Sequence, residues 1–82
     1  MRDFSYVYRL RSERDPEELY TGLTDDLAAR VRTHNAGRCP HTVKFRPWRL
    51  ETAIAFRTRE KAAAFEMYLK SGSGREFARR HF

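Results

Sequence analysis

Residues 4–23, FSYVYRLRSERDPEELYTGL, carry the pattern that decides the fold. Residues 4–10 alternate and are rich in aromatics, which predicts a strand with Phe4, Tyr6, Tyr8 and Leu10 on one face. Residues 11–18 (RSERDPEE) are polar and contain a proline, the composition of a turn. Residues 19–23 (LYTGL) read as a second strand and hairpin partner of the first, with Tyr20 and Gly22 on the face opposite Leu19, Thr21 and Leu23.

From this hairpin the reading runs outward to the C-terminus. Thr24 is a good N-cap, and Asp25 and Asp26 suit the acidic first turn of a helix. In that helix Leu27, Val31 and His34 share one stripe, with Arg30 beside them. Ala36-Gly37 ends it, the glycine supplying a left-handed cap. Residues 38–47 (RCPHTVKFRP) make a basic loop, and from Trp48 to Phe56 alternation returns as a third strand, with Trp48, Leu50, Ile54 and Phe56 on one face. Thr58 caps a second helix over 59–70 (REKAAAFEMYLK), whose apolar stripe is Ala62, Phe65 and Leu69, with Glu66 at its edge. Residues 71–74 (SGSG) break that helix, and a short basic helix over 75–82 (REFARRHF) closes the chain. The order β-β-α-β-α-α predicts an α/β sandwich, a three-stranded, mainly antiparallel sheet flanked by helices. No repeat, linker or low-complexity run divides the 82 residues, so a single domain over 1–82 is expected.

Composition narrows the partners. The net charge is +6, and Lys accounts for only Lys44, Lys61 and Lys70 of the 17 basic residues. Arg presents a planar fork that pairs bidentately with phosphate, so the bias suits a polyanion, although a general preference for Arg produces the same excess. An anionic membrane surface is disfavoured because no long basic amphipathic helix is present, which leaves nucleic acid as the leading partner. The lone Cys39 excludes an internal disulfide, and with His34 and His41 it makes a poor zinc set. It fits a reducing compartment. The N-terminal MRDFSYVYRL holds no apolar stretch long enough for a leader or membrane span, so a soluble, cytoplasmic protein is expected.

Tyr6-Val7-Tyr8, Tyr20-Thr21-Gly22, Arg30 ten residues beyond Tyr20, and then His34, Asn35 and Gly37 stand in order along the chain. Further on come Arg46-Pro47-Trp48 and the run from Glu66 to Phe77. Taken together this series resembles the GIY-YIG nuclease superfamily over nearly the whole length. Tyr6 replaces the first glycine of GIY, as a bulky residue commonly does in small stand-alone members. The resemblance implies a divalent-metal-dependent, structure-selective endonuclease that hydrolyses DNA phosphodiester bonds, with RNA not excluded, in DNA repair or processing. It implies catalytic roles for Tyr8, Tyr20, Arg30, His34 and Glu66.

The chemistry is coherent with that implication. Phosphodiester hydrolysis needs an activated water, a metal to neutralise phosphate, and cationic stabilisation of the transition state. Tyr8, assisted by Tyr20, is the favoured base, which asks for a phenol pKa lowered well below about 10 by Arg30 and the metal. By residue type alone each tyrosine reads as an ordinary strand aromatic. Glu66 resembles the family's single metal-binding acid, fit for Mg²⁺ or Mn²⁺ held through waters and phosphate oxygens; its bland reading is an i,i+4 partner of Lys70. His34 is expected to contact phosphate or help deprotonate the water, or else to cap helix-end carbonyls. Asn35 and Trp48 read as structural. Gly22 would let a phosphate or a side chain approach the backbone, and Lys44, Arg46, Arg49, Lys70, Arg75, Arg79 and Arg80 are candidates for contacts to the nucleic-acid backbone. With no room for a second recognition domain, weak intrinsic specificity or a specificity-giving partner protein is expected. The competing functions are a non-catalytic nucleic-acid-binding module that retains the nuclease fold and a protein-interaction domain.

Overall fold

Tyr8 and Leu10 are only 1% and 0% exposed because they lie on the middle strand of a sheet covered on both faces. The computed structural model describes residues 3–82; Met1 and Arg2, at the head of the N-terminal stretch and of the expected 1–82 domain, lie outside the described residues. Three strands, β1 (Ser5–Ser12), β2 (Leu19–Thr24) and β3 (Trp48–Phe56), pair antiparallel in the order β2-β1-β3. The helices are α1 (Leu27–Asn35), α2 (Arg59–Leu69) and α3 (Gly72–His81), with a 3₁₀ turn at Val43–Phe45. The order β-β-α-β-α-α and the antiparallel sheet are as expected from the sequence.

Two apolar clusters hold the layers together. On one face Tyr8, Leu10 and Trp48 pack with Tyr20, Leu27, Val31 and Phe45, which seats α1 and the following loop. On the other, Val7, Ala62, Leu69 and Ala78 pack with Leu23, Phe56, Phe65 and Phe77, which seats α2 and α3. Burying a Val or Leu side chain contributes about 1.5–3 kcal/mol, so a handful of such positions sustains a small domain.

Three local expectations are corrected. Trp48 and Phe56 do not share a face: the β1–β3 register shifts between Arg9 and Leu10, where Arg9 pairs with Thr52 but Leu10 with Leu50. The extra residue in β3 flips the alternation. Trp48 therefore joins the α1 cluster and Phe56 the α2 cluster. The cap of α1 is Asp26, whose Oδ1 accepts from Ala29 N–H, while Thr24 closes β2 and Asp25 accepts from Ser5 and Arg59 before the helix begins. A carboxylate reaches the free N–H as well as a threonine does, so cap position within T-D-D is decided by the chain's exit from the strand. Finally, α3 begins at Gly72 rather than 75, because Ser71 Oγ accepts from Gly74 N–H and starts the helix inside the glycine-rich segment. Gly74 is buried where a Cβ would fall on the Tyr68 carbonyl, so small size rather than flexibility explains it.

Candidate active site

Asp26 starts α1 one turn before Arg30, and the helical period then brings Arg30 and His34 over the same side of the sheet. Leu27 and Val31 anchor that side on the apolar cluster. Beneath it, the β1–β2 register pairs Leu10 with Tyr20 and Tyr8 with Gly22, so the two tyrosines are diagonal neighbours on one face. Their rings lie 6.3 Å apart, and the His34 ring completes a triangle at 5.9 Å from Tyr8 and 4.9 Å from Tyr20.

The Tyr8 hydroxyl is the hub. It lies 2.9 Å from His34 Nε2 and accepts from Arg30 Nε–H at 3.3 Å. His34 Nδ1 lies 2.7 Å from Thr42 Oγ1. Among the described residues every buried side-chain nitrogen or oxygen has a partner. Tyr8, Tyr20, Arg30 and His34 of the expected catalytic five thus meet, whereas Glu66 touches none of them in any described contact.

The protein's own groups do not supply the lowered Tyr8 pKa expected of Arg30 and the metal together. Burial pushes the Tyr8 phenol above its ordinary value of 10.0, and the Arg30 hydrogen bond only partly offsets that. The phenol is therefore protonated at neutral pH rather than poised as a free base. Burial and the nearby Arg30 charge hold His34 below its ordinary 6.5, so its imidazole is neutral. Arg30 is raised by its bond to Tyr8 and is charged. His34 is 0% exposed, which excludes direct phosphate contact in this conformation, and its two ring nitrogens face Tyr8 and Thr42 rather than helix-end carbonyls. Gly22 takes the side-chain half of its expected use: a Cβ there would collide with the Tyr8 hydroxyl, so the missing side chain makes room for the phenol and not for phosphate.

The motif's flanks hold this cluster in place. Asn35 brackets Trp48, donating Nδ2–H to its carbonyl at 2.9 Å and accepting its N–H at 2.6 Å. Trp48 Nε1–H donates to the Thr42 carbonyl at 2.8 Å. Gly37 has φ 79°, and a Cβ there would meet the Arg46 guanidinium, so Arg46 packs on this turn. Thr42 was missed by the sequence reading. A threonine in a basic loop carries no spacing signal that links it to a histidine eight residues earlier.

Glu66 lies on α2, across the sheet from α1, and Lys70 Nζ–H donates to its Oε2 at 2.9 Å. Its side chain keeps 20% exposure. Among the described residues no group of three or more His, Cys, Asp or Glu converges to hold an ion. A single accessible carboxylate does fit Mg²⁺ or Mn²⁺, which retain most of their water and complete their shell with phosphate oxygens.

A cleft of about 610 Å³ opens between β1–β2 and α2–α3, lined among others by Arg9, Tyr20, Lys70, Arg75, Arg79 and Phe82. Three predicted backbone contacts, Lys70, Arg75 and Arg79, meet there, and Tyr20 joins the cleft to the phenol cluster. Lys44 and Arg46 are exposed but do not line it; Lys44 Nζ lies 5.5 Å from the Phe45 ring. No helix among the described residues is long and apolar enough to cross a membrane.

A family model for the GIY-YIG catalytic domain matches residues 4–80. The chain is 42% identical over 72 residues to a UPF0213 protein of Haloquadratum walsbyi, covering 87% of this chain and 79% of that one. It is also 42% identical over 68 residues to the UPF0213 protein YazA of Bacillus subtilis, covering 82% of this chain but only 65% of the relative.

Proposed function

The chain belongs to the GIY-YIG catalytic domain family, and on that premise we propose that it is a divalent-metal-dependent endonuclease hydrolysing DNA phosphodiester bonds. The observation that carries this reading is the Tyr8 hydroxyl, held between a charged Arg30 and a neutral His34 nitrogen. A buried phenol with an adjacent unprotonated imidazole accepts a proton without first ionising: as Tyr8 Oη takes a proton from the attacking water, its own passes to His34 Nε2. Arg30 has five N–H donors and commits Nε to Tyr8, which leaves its outer fork for the charge that develops on phosphate. Tyr20, half-buried and lining the cleft, is the outer phenol of the pair and orients the substrate side. Glu66 would hold the ion, which when bound supplies positive charge against the phosphate in the transition state. Lys70, Arg75 and Arg79 would carry the flanking strand, and structure selectivity, a role in DNA repair and a specificity-giving partner belong to the same proposal.

The alternative is a non-catalytic nucleic-acid-binding module, favoured by the 1% exposure of Tyr8 and by the ion pair that occupies Glu66. A nicking assay with Mg²⁺ or Mn²⁺ on branched, nicked and intact duplexes separates the two. Glu66→Gln sharpens it. Cleavage by the variant should fall at least a hundredfold, since metal catalysis supplies several kcal/mol. Metal-free DNA affinity should hold or rise slightly, because a negative charge beside the cleft is gone. A variant that cuts at the wild-type rate would end the metal assignment.

A further inference from the structure

The hydrogens around His34 can be counted, and the count singles out a residue that the motif does not contain. A guanidinium only donates, so Arg30 Nε–H occupies a lone pair of Tyr8 Oη, 3.3 Å away. The phenolic hydrogen then needs an acceptor, and His34 Nε2 at 2.9 Å supplies one only if that nitrogen is bare. In a neutral imidazole the hydrogen is then on Nδ1, which faces Thr42 Oγ1 at 2.7 Å. Thr42 Oγ1 accepts it and turns its own hydrogen to the Cys39 carbonyl at 3.4 Å. That last bond is long because the same carbonyl also accepts the Thr42 and Val43 N–H groups, both at 3.1 Å. The opposite tautomer would aim two donors at Tyr8 Oη and leave the phenolic hydrogen with no acceptor at a side chain that is 1% exposed.

Resting on the endonuclease reading above, we propose that Thr42 is a positioning residue that fixes His34 as the Nδ1–H tautomer, so that an Nε2 lone pair faces the Tyr8 hydroxyl. Thr42 is 1% exposed and touches neither Tyr8 nor the cleft in any described contact, so it acts through His34 alone. Its own place is set independently of the histidine, since its carbonyl accepts from Trp48 Nε1–H at 2.8 Å. The hydroxyl therefore meets the imidazole from a frame that a change at His34 does not move. The arrangement has the logic of a carboxylate behind a catalytic histidine, where loss of the orienting group leaves the imidazole in the wrong tautomer.

The test uses Thr42→Val, which keeps the shape without the hydroxyl, and Thr42→Ser, which restores it. Long-range ¹H–¹⁵N spectra of His34 at pH 8 report which ring nitrogen is protonated. Wild type and Thr42→Ser should show protonated Nδ1 and bare Nε2; in Thr42→Val Nδ1–H loses its acceptor and the share of that tautomer should fall. Saturating-substrate cleavage should fall roughly tenfold or more in Thr42→Val, within the range of proton-transfer effects, with KM little changed, and should recover in Thr42→Ser. Protonated Nε2 in the wild type overturns the proposal outright and needs no variant, so it decides the matter even if Thr42→Val fails to fold. An unchanged kcat in Thr42→Val overturns it too. A wild type that cuts nothing would strike the endonuclease reading, while the tautomer spectra would still decide this one.

Discussion

At the scale of single residues, His34 carries the pH dependence. It faces Tyr8 Oη on one side and Thr42 on the other, with Arg30 as the neighbouring charge and the Tyr20 ring against it. Burial first, and Arg30 second, disfavour its cation, so its folded pKa lies below the ordinary 6.5. The unfolded chain then binds the proton more readily than the folded one. His34's contribution to stability is fully present above about 6.5 and is lost as the pH falls from there through the folded pKa. Catalysis has the same sign, because only the neutral imidazole accepts the Tyr8 proton. The pH profile of kcat/KM should be flat at neutral pH and bend downward only below about 6.5. Tyr8 works in the opposite window: its raised pKa favours the fold below 10 and that contribution is lost as pH rises through the folded value. An NMR titration of the His34 ring giving a pKa at or above 6.5 would contradict the burial argument and the mechanism built on it.

At the scale of elements, the sequence showed what repeats and hid what depends on a partner. The strand alternation of β1, the Thr58 cap of α2 and the Gly37 end of α1 each depend on neighbouring residues only, and each was legible. The bulge in β3 was not, because Trp48, Leu50, Ile54 and Phe56 alternate correctly on paper and only pairing with β1 reveals the extra residue. The meeting of Tyr8, Tyr20, Arg30 and His34 was legible through the motif, whereas Thr42 and Arg9 become visible only once the loop and the cleft have closed. Asn35 shows how the motif also builds the frame. Its two hydrogen bonds to the Trp48 backbone tie the end of α1 to the start of β3. Asn35→Ala removes both and strands a backbone N–H and C=O at a buried residue. Each such group costs about 1–3 kcal/mol, so chemical denaturation should show a loss of a few kcal/mol in total. Cleavage should fall with it, as α1 carries Arg30 and His34. A variant of wild-type stability would show that the clamp is incidental.

At the scale of the whole molecule, the sandwich separates two tasks: proton chemistry is enclosed under α1, and positive charge is gathered on the side of α2 and α3. Of the cations lining the cleft, Arg11 pairs with Glu51, Lys70 with Glu66 and Arg79 with Glu76, so their charge is partly answered within the protein. Arg80 shares Glu76 with Arg79. Among the described residues Arg75 has no ion pair, and Arg9 has none either: its guanidinium lies over the Phe82 ring, 5.8 Å from the centroid, with the charge of Glu51 acting on it from beyond ion-pair distance. With a net charge of +6 on 82 residues, the field should draw DNA in whatever its sequence. A domain of this size neutralises on the order of three to five phosphates, so the log–log salt slope of binding should be about −0.9 for each. The ion pairs then rank the arginines. Arg75→Gln removes a cation that has no internal partner and should weaken low-salt binding and flatten the slope by about one contact. Arg80→Gln removes a cation that shares Glu76 with Arg79 and does not line the cleft, and it should do less. The triple change of Arg75, Arg79 and Arg80 to Gln should weaken binding most of all, while the single-turnover rate at saturating protein stays near wild type because none of the three touches the Tyr8 cluster in any described contact. Fluorescence anisotropy with a short duplex across a salt series measures the slopes directly. Salt-independent binding, or an Arg80 effect larger than that of Arg75, would remove the cleft from the path of the nucleic acid.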